Sequence, residues 1–209
     1  MTLMNPQGHL VVMARAPRLG AVKRRLARDL GDLAAWRFYR ITAGRLLRAL
    51  SADPRWRTWL ALTPDRAARV RRGLWPATGA LLPQGQGDLG ARMGRLLREL
   101  PPGPVVIVGS DIPDLRAVHV ARAFRMLGRH DWVFGPAGDG GYWLIGARRR
   151  RAPPRETFAN VRWSSAHALA DTCANLKGAH IGFLEVLADV DTGEDLARLR
   201  TADRRRPNS

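Results

Sequence analysis

Val105-Val106-Ile107-Val108-Gly109-Ser110-Asp111-Ile112-Pro113-Asp114-Leu115 decides how the rest of this chain is read. Four consecutive β-branched apolar residues run without alternation into Gly-Ser-Asp, the pattern of a parallel strand covered on both faces. Chain leaving such a strand at its carboxyl end lies on the rim where open α/β sheets bind ligands. A carboxylate there can hold a divalent cation against phosphate, because hard cations take oxygen ligands. Asp111 stands too early to cap the helix that follows and is the candidate. Asp114, just before Leu115-Arg116-Ala117 and after the extended backbone that Pro113 enforces, is expected to be that helix's N-cap.

Working outward, strand patterns alternate with helical ones. His9 to Arg15 reads as a first strand, Lys23 to Gly31 as a helix, and Asp32 to Leu50 as a second helix. In that second helix Leu33, Trp36, Ile41, Leu46, Leu47 and Leu50 fall near helical spacing. Trp56 to Leu62 is extended, Asp65 to Gly73 a short basic helix, Gly79 to Pro83 a short strand and Asp88 to Leu100 a helix. Beyond the central strand, Leu115 to Leu127 is helical and Asp131 to Gly135 extended, with Tyr142 to Gly146 a strand running back. Ala166 to Leu176 and Gly193 to Arg200 close the pattern as helices, with His180 to Leu187 extended between them. This alternation predicts one α/β domain with a mostly parallel sheet and helices on both faces. It spans residues 1–209, with about 204–209 a disordered tail.

With 209 residues, 45% of them hydrophobic, the chain can bury a sizeable core. No apolar run approaches the roughly 20 residues that a membrane helix needs. The N-terminus lacks the basic start of a signal peptide. The single Cys173 excludes an internal disulfide framework and a Cys-rich zinc site, so cytoplasmic residence is expected. The net charge is +17, and all but two of the 35 basic residues are arginine, the exceptions being Lys23 and Lys177. These arginines are scattered over helix faces and loop tips without a nucleic-acid-binding signature, so no specific nucleic-acid partner is expected. The charge fits attraction for anionic small molecules instead. The sequence leaves the oligomeric state open.

Four stretches carry chemistry. Arg15-Ala-Pro-Arg18-Leu-Gly20-Ala-Val-Lys23-Arg24-Arg25 is a basic loop feeding a helix start, a combination suited to phosphate. It lacks the Gly-Lys-Ser/Thr of a P-loop. Both Lys23 and Arg25 are expected to face solvent. Gln84-Gly-Gln-Gly87-Asp88-Leu-Gly-Ala-Arg92 contains a literal GxGxxG, but it follows a short strand ending in Pro83, so a turn capped by Asp88 competes with a dinucleotide site. In Gly138-Asp139-Gly140-Gly141-Tyr142-Trp143 the glycines allow close backbone approach to a ligand, and Asp139 either contacts a substrate hydroxyl or a metal or is a turn former. Within Asp189-Val-Asp191-Thr192-Gly-Glu-Asp195, Thr192 and Asp195 form a capping box, leaving Asp189 and Asp191 free to reach a metal.

PRLGAVKRRL, QGQGDLGARM, GSDIPDL, GPAGDGGYWLIG and DVDTGEDL, in that order, resemble the bacterial glycosyltransferase-A-like (GT-A) proteins related to nucleotide-diphospho-sugar transferases. That group is a domain family of unknown function, often labelled arsenosugar-biosynthesis-associated glycosyltransferase. The resemblance runs from Arg15 to Leu196; the family has Lys where Arg15 stands and Thr where Arg24 stands. It implies a Rossmann-like GT-A fold, a nucleotide near the first loop and a divalent metal, Mg²⁺ or Mn²⁺, on Asp111. Combined with the residue reading, Asp111 and Asp139 are the expected catalytic groups. Arg15, Arg18, Gly20, Lys23, Arg25, Gly87, Asp88 and Arg92 are expected to bind nucleotide phosphate. Gly140, Gly141, Tyr142 and Trp163 are expected to touch substrate, and Asp189 or Asp191 to join Asp111 on the metal.

Three functions follow from different premises. A sugar is transferred from a nucleotide diphosphate sugar to a small-molecule acceptor; or a nucleoside triphosphate reacts with a phosphorylated small molecule; or the chain binds nucleotides without catalysis. The five histidines show no metal-binding spacing, no serine sits in a nucleophile elbow, and Cys173 lies among Ala and Leu as a core residue.

Overall fold

The structure, a computed structural model, describes residues 7–69, 75 and 80–205. Seven strands form one sheet: β1 (Gly8–Arg15), β2 (Trp56–Thr63), β3 (Ala80–Pro83), β4 (Val105–Gly109), β5 (Trp132–Pro136), β6 (Tyr142–Ala147) and β7 (Ile181–Phe183). Their order is β3-β2-β1-β4-β6-β5-β7. β1 pairs in parallel with β2 and β4, β2 with β3, and β5 with β7, while β6 runs antiparallel to both β4 and β5. One reversed strand in an otherwise parallel sheet makes the mostly parallel α/β domain that the alternation of elements predicts.

The VVIV run lies at the middle of the sheet, and its lack of alternation has a direct cause. Val106 and Val108 pack into one core layer with Leu10, Val12 and Leu144; Val105 and Ile107 pack into the other with Val11, Phe134 and Ile145. Both faces are covered. Helices α2 (Asp32–Ser51) and α4 (Ala117–Met126) close the first face through Leu46, Leu47, Leu50, Val120 and Ala123, and α3 (Leu89–Glu99) closes the second through Met93, Leu96 and Leu97. Leu26 of α1 (Arg24–Leu30), Ala35 of α2, Val190, and Leu196 of α6 (Gly193–Arg205) form a small satellite core, and α5 (Ala168–Ala174) completes the set.

Three expectations are corrected. Asp114 is not the N-cap of α4: a turn closed by Leu115 N donating to Ile112 O at 3.2 Å intervenes, and the helix starts at Ala117. There the Arg116 N–H donates to His119 Nδ1 at 3.1 Å, so the cap is a ring nitrogen from inside the helix. In α2 the buried stripe is Ala35, Tyr39, Ala43, Leu46, Leu47 and Leu50, whereas Leu33 and Ile41 are half exposed. Leu46, Leu47 and Leu50 pack on the sheet, Ala35 packs with Leu26, Val190 and Leu196, and Tyr39 and Ala43 pack with Val22; hydrophobicity alone does not mark the small members. Gly79, expected to open β3, residues 70–73 of the expected basic helix and the tail from 206 onward lie outside the described residues; Asp65–Arg69 forms a 3₁₀ turn, and Arg204 and Arg205 belong to α6. Among the described residues no helix is long and apolar enough to cross a membrane.

Strand order changes direction between β1 and β4: the chain first builds outward through β2 and β3, then returns to β1's other side. The loops leaving β1 and β4 therefore border the same crevice. The GxGxxG loop, by contrast, follows the edge strand β3, where Asp88 accepts a hydrogen bond from Ala91 N at 2.8 Å and caps α3.

Leu144 is fully buried on β6 opposite Val108. Leu144→Ala is expected to cost roughly 2–5 kcal/mol in urea unfolding; a loss below about 1 kcal/mol would mean the centre of the sheet is packed less tightly than this arrangement requires.

Candidate functional site

Lys23 is the residue on which the crevice closes. It precedes α1 in a left-handed conformation, φ 48° and ψ 49°, which costs a non-glycine residue roughly 1–2 kcal/mol. Its side chain is 4% exposed, and Nζ lies 2.6 Å from Asp111 Oδ2 and 2.8 Å from Asp191 Oδ1. Burial alone would lower the ammonium's pKa, but Asp111 and then Asp191 outweigh it and raise it, so the group stays charged. The expectation that Lys23 faces solvent is thus corrected, because two carboxylates draw the ammonium inward. Arg25 does face outward, 71% exposed, with Nη1 3.5 Å from Asp191 Oδ2.

Each partner is placed by its own element. Asp111 follows β4 by two residues, as the strand-end argument requires. Asp191 is fixed by the predicted capping box: Asp195 N donates to Thr192 Oγ1 at 3.2 Å, and Asp195 Oδ2 accepts from Thr192 N at 2.9 Å and Asp191 N at 3.1 Å. Gly193 N then donates to Asp29 Oδ2 at 2.7 Å, tying the start of α6 to α1.

Tyr39 is a site residue that the sequence reading missed. Its hydroxyl accepts from Arg15 N and donates to Arg15 O, both at 2.9 Å, and lies 3.1 Å from Ser110 Oγ. One buried phenol thus joins the end of β1 to the residue before Asp111. Burial pushes its pKa up, and the hydroxyl remains a donor. Its signal was available: Tyr39 falls four residues after Ala35 and four before Ala43, on the buried stripe of α2. Trp36 adds a second brace, Nε1 donating to Pro17 O at 2.8 Å inside the first loop.

Beside the ion-paired centre is a cleft of about 240 Å³. Asp111, Asp139 and Asp189 line it, facing Leu89, Tyr142, Trp143 and Trp163. Asp139 is exposed, and its Oδ1 accepts from Gly141 N at 2.9 Å, so it forms the turn and also borders the cleft. Gly140 takes φ 83° with its Cα against the Ala166 backbone, where a Cβ would overlap. Tyr142 and Trp163 meet edge to face at 6.4 Å, and Trp163 Nε1 is buried with no hydrogen-bond partner. A larger groove of about 510 Å³ between α2 and α6 carries none of these carboxylates, and chemistry rather than size selects the smaller one.

Arg15, Arg18 and Gly20 are exposed along the first loop at the mouth of the crevice. Gly87 O accepts from Arg92 Nε at 2.9 Å and Asp88 is occupied as the α3 cap, so this second loop is held by its own contacts while its Leu89 reaches the cleft.

The carboxylates bear on the question of a cation. Burial raises the pKa of Asp189, and repulsion from Asp191, Asp111 and Asp139 adds to it, with Lys23 opposing. Crowded carboxylates without enough positive charge are a donor set that fits a hard divalent ion. Among the described residues no three Asp, Glu, His or Cys groups form a ready-made cage, so a cation held here would need phosphate oxygens or water to complete its coordination.

The sequence profile of the family described as an uncharacterized protein conserved in bacteria (DUF2064) matches residues 46–165. The chain belongs to that family. No curated protein sequence matches it. Among solved structures it is similar to a Desulfovibrio desulfuricans G20 protein provisionally named a nucleotide-diphospho-sugar transferase, with 28% identity, 95% of this chain and 88% of that one covered, and a TM-score of 0.87. A nucleotidyl transferase from Methanothermobacter thermautotrophicus aligns at 15% identity over 96% and 99% of the two chains, TM-score 0.63. A Mycobacterium tuberculosis H37Rv protein crystallised with manganese aligns at 16% identity over 92% and 97%, TM-score 0.51. The first bears out the resemblance read from the five motifs; the other two share the fold.

Two outcomes follow from this geometry. Tyr39→Phe leaves Ser110 and the Arg15 backbone without their shared hydroxyl, and is expected to cost roughly 1–3 kcal/mol in denaturant unfolding. Asp189 titrates above the usual carboxylate range, so its stabilising contribution is present below its unfolded pKa and lost as pH rises through the folded one. In metal-free protein Asp189→Asn should therefore raise Tm at neutral pH, with the gain vanishing in acid; an equal change at both pH values contradicts this.

Proposed function

We propose that the protein is a metal-dependent nucleotide-using transferase that moves a glycosyl group from a nucleotide diphosphate sugar to a small acceptor. The observation that carries the reading is the Lys23–Asp111 contact at 2.6 Å beneath a rim of exposed arginines. It supplies a charged, buried ammonium at the place a diphosphate enters, and the carboxylate beside it that a cation needs.

In this reading Arg15, Arg18 and Arg25 draw the diphosphate into the crevice, and Lys23 turns from Asp111 to a phosphate oxygen. The chain would hold the cation on Asp111 with Asp189 or Asp191, and a cation bound there supplies neutralisation of the leaving diphosphate. Tyr39 and Ser110 fix the loop that carries Asp111. Gly140 and Gly141 bring backbone close to the substrate, and Tyr142 and Trp163 wall the cleft in which the acceptor lies. Asp139 orients the acceptor hydroxyl and takes its proton as the acceptor oxygen bonds to the sugar's anomeric carbon and the bond to the diphosphate breaks. Gly87, Asp88 and Arg92 border the nucleotide. The name of the D. desulfuricans G20 relative supports this choice.

Nucleotidyl transfer is the second reading. Three exposed arginines besides Lys23 suit a triphosphate, and the fold is shared with a nucleotidyl transferase.

Asp111→Asn should abolish cation-dependent nucleotide binding by calorimetry, and should lower Tm because the buried Lys23 ammonium loses one of its two carboxylates. Lys23→Met should weaken nucleotide binding by at least about tenfold, as a charged hydrogen bond of roughly 1.5–3 kcal/mol implies. With nucleotide sugars and nucleoside triphosphates offered in parallel, release of nucleoside diphosphate is expected; pyrophosphate would establish the second reading. Cation-independent binding, equal in wild type and Asp111→Asn, would overturn both.

A further inference from the structure

The end of the sheet opposite the crevice carries a second concentration of charge. β4 begins at Val105 beside Ala147, the last residue of β6, and Trp132 of β5 pairs with that same residue. Asp111 lies past the other end of β4, so the two places are separated by the length of the strand, on the order of 15–20 Å at the usual rise per residue. From Ala147 the chain runs directly into Arg148-Arg149-Arg150-Arg151, and this loop with Asp131, Trp132 and Pro153 bounds a cavity of about 450 Å³.

The loop is built rather than merely basic. Arg149 takes a left-handed backbone, φ 54°, and its Nη2 donates to Leu100 O at 2.7 Å, which holds the guanidinium against the protein. Nη1 is buried with no partner, and burial lowers the pKa of the group. A guanidinium presents its donors in a fixed fork that matches acceptor oxygens. Among the described residues none of the four arginines forms an ion pair with a carboxylate. Asp131, which lines the same cavity, has its Oδ2 accepting from His180 N at 3.0 Å.

We propose that the Arg148–Arg151 loop is a second anion site that takes an oxyanion of the phosphate class, separate from the nucleotide crevice. Tetrahedral oxyanions match the fork geometry of arginine, and several guanidiniums around one pocket are the usual means of holding them. A bound oxyanion would be held by the exposed Arg150 and Arg151 guanidiniums, which no ion pair among the described residues balances.

The test follows backbone amide signals of Arg148 to Ala152 by NMR while inorganic phosphate or pyrophosphate is added at constant ionic strength, with chloride as the reference salt. Saturable shifts in these amides are expected, and they should persist in Asp111→Asn, which separates this site from the crevice whether or not the transferase reading holds. Arg149→Gln should weaken binding by at least about tenfold. Because that change also removes the bond to Leu100, the exposed pair Arg150→Gln/Arg151→Gln keeps the test open, and it too should weaken binding. Tighter binding of pyrophosphate assigns the site to a diphosphate group, and tighter binding of phosphate to a single phosphoryl group. Shifts that follow ionic strength equally with chloride, or that survive both sets of substitutions, overturn the proposal.

Discussion

A single buried ammonium holds the functional end of this molecule together. Lys23 comes from the loop after β1, Asp111 from the loop after β4 and Asp191 from the segment before α6, and Nζ contacts both carboxylates within 2.8 Å. Without the ammonium, two carboxylates would face each other across a narrow crevice beside Asp189, whose proton affinity is already raised by its surroundings. With it, three distant parts of the chain share one electrostatic centre. The left-handed backbone at Lys23 is the local cost of that placement, offset by two charge-assisted contacts. The same arrangement makes the site responsive, because an anionic ligand competes with Asp111 for Lys23 while a cation competes with Lys23 for Asp111.

The sheet makes this convergence possible. A strand apolar on both faces sits at the middle, its four β-branched residues divided between two core layers, and its neighbour β1 is the point from which strand order reverses. Loops leaving adjacent parallel strands at such a reversal must meet. Tyr39 refines the meeting: one hydroxyl fixes Arg15 at the end of β1 and Ser110 at the end of β4, so the separation of the two loops is set by a hydrogen-bonded side chain of α2.

Much of this was legible because it rests on local patterns. The VVIV run marks a doubly covered strand, Thr192 with Asp195 is a capping box, and Asp88 caps α3, each a matter of a few neighbouring residues. What escaped depends on pairings across long sequence separations. Lys23 reads as an exposed basic residue until Asp111 and Asp191 are brought to it from 88 and 168 positions away. Tyr39 reads as one more aromatic in an amphipathic helix, although its spacing with Ala35 and Ala43 marks its face. Asp114 reads as a cap because Asp is a good one; the turn closed by Leu115 and Ile112 puts the helix start at Ala117, with Arg116 at the cap position. Leu33 and Ile41 fit helical spacing, but the buried positions are Ala35, packed with Leu26 and Leu196, and Ala43, packed with Val22.

The chain's composition offers a direct view of the central ammonium. Lys23 and Lys177 are the only lysines, so a ¹H–¹⁵N spectrum of the lysine side chains holds two Nζ signals, one from the ion-paired centre and one from a remote reference. If Lys23 is a counter-ion handed over to phosphate, adding a nucleoside diphosphate together with Mg²⁺ should shift the Lys23 signal and leave Lys177 in place, and Asp111→Asn should move the ligand-free Lys23 signal. A Lys23 signal unmoved by nucleotide at saturation, with binding verified independently on the same sample, would contradict the account.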